Sequence, residues 1–235
     1  MLLDPALFRV CEWAPKTCTV GRIFCHYIRD PMYSEPKQDR SKTTEDAFLS
    51  ALDKLLVQTS FKNLTIEDIA QEAGISKGAF LRRFGSKRQA LYVLYGRYCD
   101  KTTVVMNRVV NELPLTEKLT DALLDMSKSL ERLIAQDYSC NRAMREDFQE
   151  HLEVHPLTRR IFLECVEMMS QTQKRFFGEA NETGAYSAAQ LLITITFEYV
   201  FNAMPGLPRE YQQRHQLMAQ ILSDALGLGT GEKSE

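Results

Sequence analysis

The sequence predicts an all-α protein, with a small three-helix unit on its N-terminal side and a larger helical domain after it. Three observations carry this. Apolar residues recur three and four positions apart from residue 43 onward, the period of amphipathic helices. Thr65, Ser76 and Ser86 each stand just ahead of such a stretch, where a helix wants a capping side chain, and Gly74 follows one. Pro114, Pro156 and Pro208 fall near the breaks between the longer stretches. The 235 residues suffice for one or two domains, and 44% hydrophobic with 26% charged residues is ordinary for a globular chain.

Residues 1–39 stand apart. Pro5, Pro15, Pro31 and Pro36 interrupt them, no apolar period is sustained, and "YSEPKQDRSK" reads as a polar arm. They are expected to form a poorly ordered extension, or to lie upstream of a translation start near Met32. The first helix is expected at Thr43, with Asp46 three residues on in a variant capping box. Ala47, Phe48, Ala51, Leu52, Leu55 and Leu56 make its apolar stripe, and "TSFKN" ends it. Thr65 opens the second helix, with Glu67 and Asp68 in the first turn, where the helix dipole favours acids. Its inner face is Ile66, Ile69, Ala70 and Ala73, and Gly74 supplies the left-handed residue that stops it. Ser76 starts a short third helix, with Phe80 and Phe84 inward, and "FGSK" ends it. Ser86 and Gln89 form a capping box for a longer helix.

The expected division is an extension over 1–39, a three-helix domain over 40–95 and a helical domain over 96–235. Long helices are expected at about 86–112, 116–136, 141–154, 157–177, 185–204 and 209–226. Gly96 marks a candidate bend in the first of these. "AAQLLITITFEYVFNAM" is apolar almost all round and is expected to be buried on more than one side. The last helix has a stripe of Leu217, Ile221, Leu222 and Ala225, and these two helices are the expected subunit interface. The tail "GLGTGEKSE" is expected to fray.

Residues 65–84 thus read as helix, tight glycine turn, helix. In that arrangement the second helix enters the DNA major groove. The charge distribution fits. The net charge is −2, yet residues 40–100 carry 10 basic and 7 acidic side chains while residues 101–235 carry 14 and 19. From Gly74 to Tyr98 there is no Asp or Glu, while Lys77, Arg82, Arg83, Lys87, Arg88 and Arg97 all fall there. A phosphate-facing surface explains that: carboxylates are repelled and cations release counterions. Lys77 stands at the start of the third helix, the end that reaches base edges, Gly78 and Ala79 beside it allow close approach, and Ser76, which starts that helix, is a DNA-binding candidate with them. Arg82 and Arg83 can fork onto guanine or grip phosphate. For each cation the alternative is a solvated surface charge. Lys87 begins the next helix, where backbone N–H groups welcome a phosphate. Thr65 caps its helix and is a second phosphate candidate. Replacing Arg82 and Arg83 together is expected to abolish specific binding with thermal stability nearly unchanged.

"LTIEDIAQEAGISKGAFLRRFGSKRQAL" resembles the DNA-binding domain of the TetR family of bacterial transcriptional regulators, through Thr65, Ile69, Ala70, Ala73, Gly74, Ser76, Gly78, Phe84, Ser86, Lys87 and Leu91. The match covers roughly residues 40–95. The family commonly carries Leu-Tyr where this chain has Phe80-Leu81, so the phosphate contact of that tyrosine lacks its hydroxyl here. The resemblance implies a homodimer on a palindromic double-stranded DNA operator, a C-terminal ligand-binding and dimerisation domain, and release by an unidentified small-molecule effector.

An enzyme fused to a helix-turn-helix domain is the main alternative. Residues 101–235 offer it no G-x-S-x-G, no H-E-x-x-H and no glycine-rich phosphate loop. A protein-interaction module is the other, and six cations without one acid argue against it. Neither a catalytic residue nor a cofactor is expected. None of the six cysteines forms a C-x-x-C pair, so no metal is expected, and buried thiols of a cytoplasmic protein are the reading. His151 and His155 are four apart but lack a third ligand, and read as surface polar residues. Glu198 reads as the rim of the interface or a ligand contact. Phe148, Phe162, Met168, Met169, Phe176, Phe177, Tyr186 and Phe197 suit either a ligand cavity or a plain core, so ligand-binding residues stay unassigned. No apolar run reaches membrane-spanning length.

Overall fold

The computed structural model describes residues 39–151, 155–202, 204 and 206–227. The helices are α1 (Asp39–Gln58), α2 (Ile66–Ala73), α3 (Lys77–Phe84), α4 (Lys87–Glu112), α5 (Leu119–Gln136), α6 (Tyr138–His151), α7 (Pro156–Phe177), α8 (Glu182–Asn202) and α9 (Tyr211–Gly227). No strand occurs among the described residues. Apart from Asp39, the expected extension over 1–39, with Cys11, Cys18, Cys25 and the Met32 question, lies outside them, as do residues 152–154 and the tail from 228.

The first three helices close on an aromatic knot. Phe48 of α1 meets Phe80 of α3 edge to face at 5.2 Å and Phe84 at 6.0 Å, and Phe80 and Phe84 lie 5.0 Å apart. These rings are almost fully buried, so the three helices form one small core although α2 and α3, of eight residues each, are too short to be stable alone. Helix α4 runs on unbroken from this core into the second half of the molecule, with Gly96 against the Leu157 side chain. There α5, α7, α8 and α9 pack together, with α4 against α7. Helix α8 touches α5, α7 and α9, as its all-round apolar sequence requires.

Four helices, α1, α5, α6 and α8, start three or four residues from where the sequence reading puts them, and two of these starts change how nearby residues act. Helix α1 begins at Asp39, one turn before the expected Thr43, so "DRSK" belongs to the helix and not to a linker. Arg40 and Lys42 are good helix formers and nothing in the turn breaks it. Asp46 is therefore no cap residue; it pairs with Arg97. Helix α6 begins at Tyr138, with Asp137 alone separating it from α5. The Asn141 side chain donates to the Asp137 carbonyl at 3.1 Å and ties the corner.

Candidate nucleic-acid interface

The geometry of α2 and α3 follows from four short-range devices. Thr65 and Asp68 make a full capping box: the Asp68 N–H donates to Thr65 Oγ1 at 3.1 Å and the Thr65 N–H to the Asp68 carboxylate at 2.9 Å. The Thr65 hydroxyl also donates to Asp68, at 2.7 Å, and these bonds hold the exposed Asp68 carboxyl below its usual range. Gly74 takes φ 66° and ψ 25°, the left-handed conformation that lets the chain reverse. Ser76 caps α3 by accepting from the Ala79 N–H at 3.3 Å. With Phe80 and Phe84 inside, α3 turns Lys77, Gly78, Leu81 and Arg82 outward, while Ala79 and Arg83 lie on its flanks.

The cations of the acid-free stretch do not share one surface. Lys77 is paired with Glu67 across the turn, both side chains half exposed, and that pairing lowers the Glu67 carboxyl. Arg83 turns inward: its side chain is 13% exposed and forks onto Glu45 of α1, itself 7% exposed, with Nε donating at 2.7 Å. Arg97 reaches the same Glu45 at 3.3 Å, and Asp46. Arg88 lies on Asp147 of α6 at 2.9 and 3.1 Å. Lys87 donates to the carbonyls of Phe61 and Leu64, each at 2.7 Å, and sits over the Phe61 ring, so it pins the loop between α1 and α2. Burial lowers its pKa. Arg82 is exposed, and no carboxylate or carbonyl pairs with it among the described residues.

The expectation that Arg82 and Arg83 act together on DNA thus meets two different environments. Arg83 is an intramolecular anchor because α1 brings a nearly buried carboxylate within reach of α3. Acids from α1, α2 and α6 pair with cations of the acid-free stretch, so these cations do not form one phosphate face.

The junction between the two halves also escaped the sequence reading. Asp147 is 5% exposed and accepts from Arg88 and from the Tyr92 hydroxyl at 2.8 Å. The His155 ring packs on Tyr92 at 4.1 Å. His155 is no surface residue: its Nδ1 accepts from the Leu157 N–H at 3.2 Å and caps α7. Burial first, then the nearby Arg88, push its pKa down to about 4. His151 is exposed, and no group of His, Cys, Asp or Glu fit to hold a metal occurs among the described residues. Arg142 of α6 donates to the carbonyl of Leu56 in the last turn of α1 and to that of Thr59 just past its end, the latter at 2.9 Å. Farther along, Arg214 lies against Glu131 at 2.8 Å and over the Tyr199 ring at 3.8 Å. The buried His215 faces Ser127 at 2.8 Å; its Nε2 is 3.2 Å from Glu131 but out of hydrogen-bonding geometry.

A cavity between α4, α5, α7 and α8 is lined by Val105, Met106, Val109, Met126, Met168 and Leu192, among others, with a volume of ≈ 10 Å³. That is about the room for one water. Met168 is the one member of the expected aromatic and methionine set that lines it. Phe162 packs edge to face on Tyr186 and Phe197 stacks on Phe201, while Phe177 is partly exposed. Glu198 accepts from Asn202 and lies 3.9 Å from Arg145. Cys99, Cys140 and Cys165 are free and buried, and burial raises all three thiols, Cys99 to about 12. No helix among the described residues is long and apolar enough to cross a membrane.

Residues 48–91 match the family model described as bacterial regulatory proteins, tetR family. No curated protein matches the chain. Among solved structures, a TetR-family transcriptional regulator from Mesorhizobium loti MAFF303099 is 16% identical, with TM-score 0.60, covering 81% of this chain and 98% of that one. The fatty acid degradation regulator FadR from Bacillus halodurans is 16% identical, with TM-score 0.56 and coverage of 86% and 100%. NalD, the secondary repressor of the MexAB-OprM multidrug efflux pump in Pseudomonas aeruginosa, is 14% identical, with TM-score 0.55 and coverage of 80% and 98%. At these identities the likeness is one of fold.

Proposed function

We propose that this chain, whose helix-turn-helix domain is of the tetR family, is a repressor that binds a palindromic operator as a homodimer and leaves it when a small molecule enters the C-terminal domain. The observation that carries the DNA-binding part is the outward face of α3. It presents Lys77, Gly78, Leu81 and Arg82, and Arg82 has no partner among the described residues. Arg82 and Lys77 contact base edges or phosphate, with Lys77 exchanging its solvent-exposed Glu67 partner for DNA. Such surface pairs are worth little, so the exchange is cheap. Gly78 and Ala79 permit close approach, and Thr65 and Ser76 present the helix N-termini to phosphates. Two Lys87 donors hold the loop carbonyls and the third is directed to a phosphate. Arg83 positions α3 through Glu45 and makes no base contact.

Ligand response rests on α6. This helix holds the C-terminus of α1 through Arg142 and the start of α4 through Asp147. A ligand that enlarges the small cavity beside α4 shifts α6 and so both supports of the helix-turn-helix. The partly buried apolar residues of α8 and α9, among them Phe197, Val200, Phe201 and Ile221, are the dimer surface of this reading.

The test is fluorescence anisotropy of the full chain on DNA flanking its own gene and the neighbouring gene, against scrambled DNA at two salt concentrations. Tight, sequence-dependent binding that weakens steeply with salt is expected. Binding no better than to scrambled DNA, together with a genome-wide pull-down that enriches nothing, overturns it.

A further inference from the structure

Leu81 stands out on the face just described. It is 39% exposed, on a helix whose other large apolar residues, Phe80 and Phe84, are buried. Positions 77, 78, 81 and 82 share one side of α3, so Leu81 is the single apolar side chain on the outward face, between Lys77 one turn before and Arg82 beside it. Gly78, also one turn before, leaves that face flat. A Cβ at Gly78 would meet only Arg82 Nη1, at 3.7 Å, an ordinary contact, so the fold does not require glycine there. The empty space is thus available for a surface to come close.

A lone exposed leucine means nothing on most surfaces. At the centre of a face laid into the major groove it must find an apolar partner or lose hydration without return. The base edges there are donors and acceptors, with one apolar exception, the C5-methyl group of a pyrimidine.

Resting on the DNA-binding reading above, we propose that Leu81 is a specificity-determining residue that packs on a C5-methyl group in each operator half-site. Thymine carries that group, and so does 5-methylcytosine. Gly78 gives the helix the approach that lets the short leucine side chain reach it, and Arg82 fixes the register from the neighbouring position.

The experiment uses the full chain and a random-sequence duplex library. The enriched duplex is remade with each thymine replaced in turn by uracil, which removes only the methyl group. One position per half-site is expected where uracil weakens binding about fourfold, the worth of one buried methyl-sized group. At that position Leu81→Ala is expected to bind thymine and uracil duplexes alike, Leu81→Met to keep the preference, and Arg82→Ala to keep it at lower affinity. Melting temperatures of the three variants report folding. A 5-methylcytosine·guanine pair at that position that restores binding assigns recognition to the methyl alone; no restoration assigns it to thymine. Uracil tolerated everywhere by the wild type, or a preference that survives in Leu81→Ala, overturns the proposal with the DNA-binding reading intact. A library that enriches no sequence overturns both.

Discussion

Lys77, Gly78, Leu81 and Arg82 lie on the outward side of α3, while Arg83 lies inward of it and the half-buried Lys87 and Arg88 follow at the start of α4, with the exposed Arg97 farther along. All come from one stretch without a single carboxylate. On the outward side the charges are solvated and one of them, on Arg82, has no partner among the described residues. On the inward side Arg83 holds Glu45, which the exposed Arg97 also reaches, Arg88 holds Asp147, and Lys87 holds two loop carbonyls. The same residue type thus serves two ends, and what separates them is the dielectric around the charge. Near the nearly buried Glu45 and Asp147 an unpaired ion is costly, so arginine is fixed. In water a pair is worth little, so Lys77 and Arg82 remain available.

The sharpest way to break this contrast is to remove an inward cation. Arg88→Ala leaves Asp147 buried with, among the described residues, only the Tyr92 hydroxyl, and a loss of about 3 kcal/mol of folding stability is expected. Thermal unfolding reads this as a fall of roughly 6–12 °C. An unchanged midpoint would return Arg88 to the solvated class. Arg82→Ala should do the reverse: a loss of about 1–3 kcal/mol in operator affinity by anisotropy, with the unfolding midpoint within error of the wild type.

Arg83→Ala is expected to cost about 2 kcal/mol of stability, less than Arg88→Ala because Arg97 also reaches Glu45. The double replacement of Arg82 and Arg83, expected from sequence alone to spare stability, should therefore lower the midpoint through Arg83. Lys87→Ala should cost about 1 kcal/mol through the freed loop carbonyls. It should also lower the slope of log affinity against log salt by about one, if its third donor meets a phosphate.

pH separates the two sides as well. His155 titrates at about 4 in the folded chain, below the ordinary value of 6.5, because burial and Arg88 disfavour the imidazolium. Between those values the unfolded chain binds the proton and the folded chain does not. Stability is therefore expected to fall as pH drops from about 6.5 to about 4, and to level off below. Protonation at Nδ1 would also remove the acceptor that caps α7. In His155→Gln the acid-side slope in chemical denaturation should flatten; an undiminished slope would move the effect to other groups.

Much of this was written locally. The cap at Thr65, the left-handed Gly74, the Ser76 cap and the inward Phe80 and Phe84 all act within a few residues, and each stands where the sequence places it. The start of α1 did not, because a polar turn such as "DRSK" helps a helix without marking its end. The partners of the cations were out of reach for a different reason. Glu45 lies 38 residues before Arg83, and Asp147 lies 59 after Arg88. His155, read as a surface residue, is placed on Tyr92 by the meeting of α4 with α7.

The sequence by itself determined the all-helical class, the helix-turn-helix and which side of α3 is apolar, since periodicity and capping are properties of neighbouring residues. The tertiary structure alone decided which cations remain solvated. A charge is held by whichever carboxylate or carbonyl the packing of distant helices brings within about 3 Å, and by how much water that packing leaves beside it.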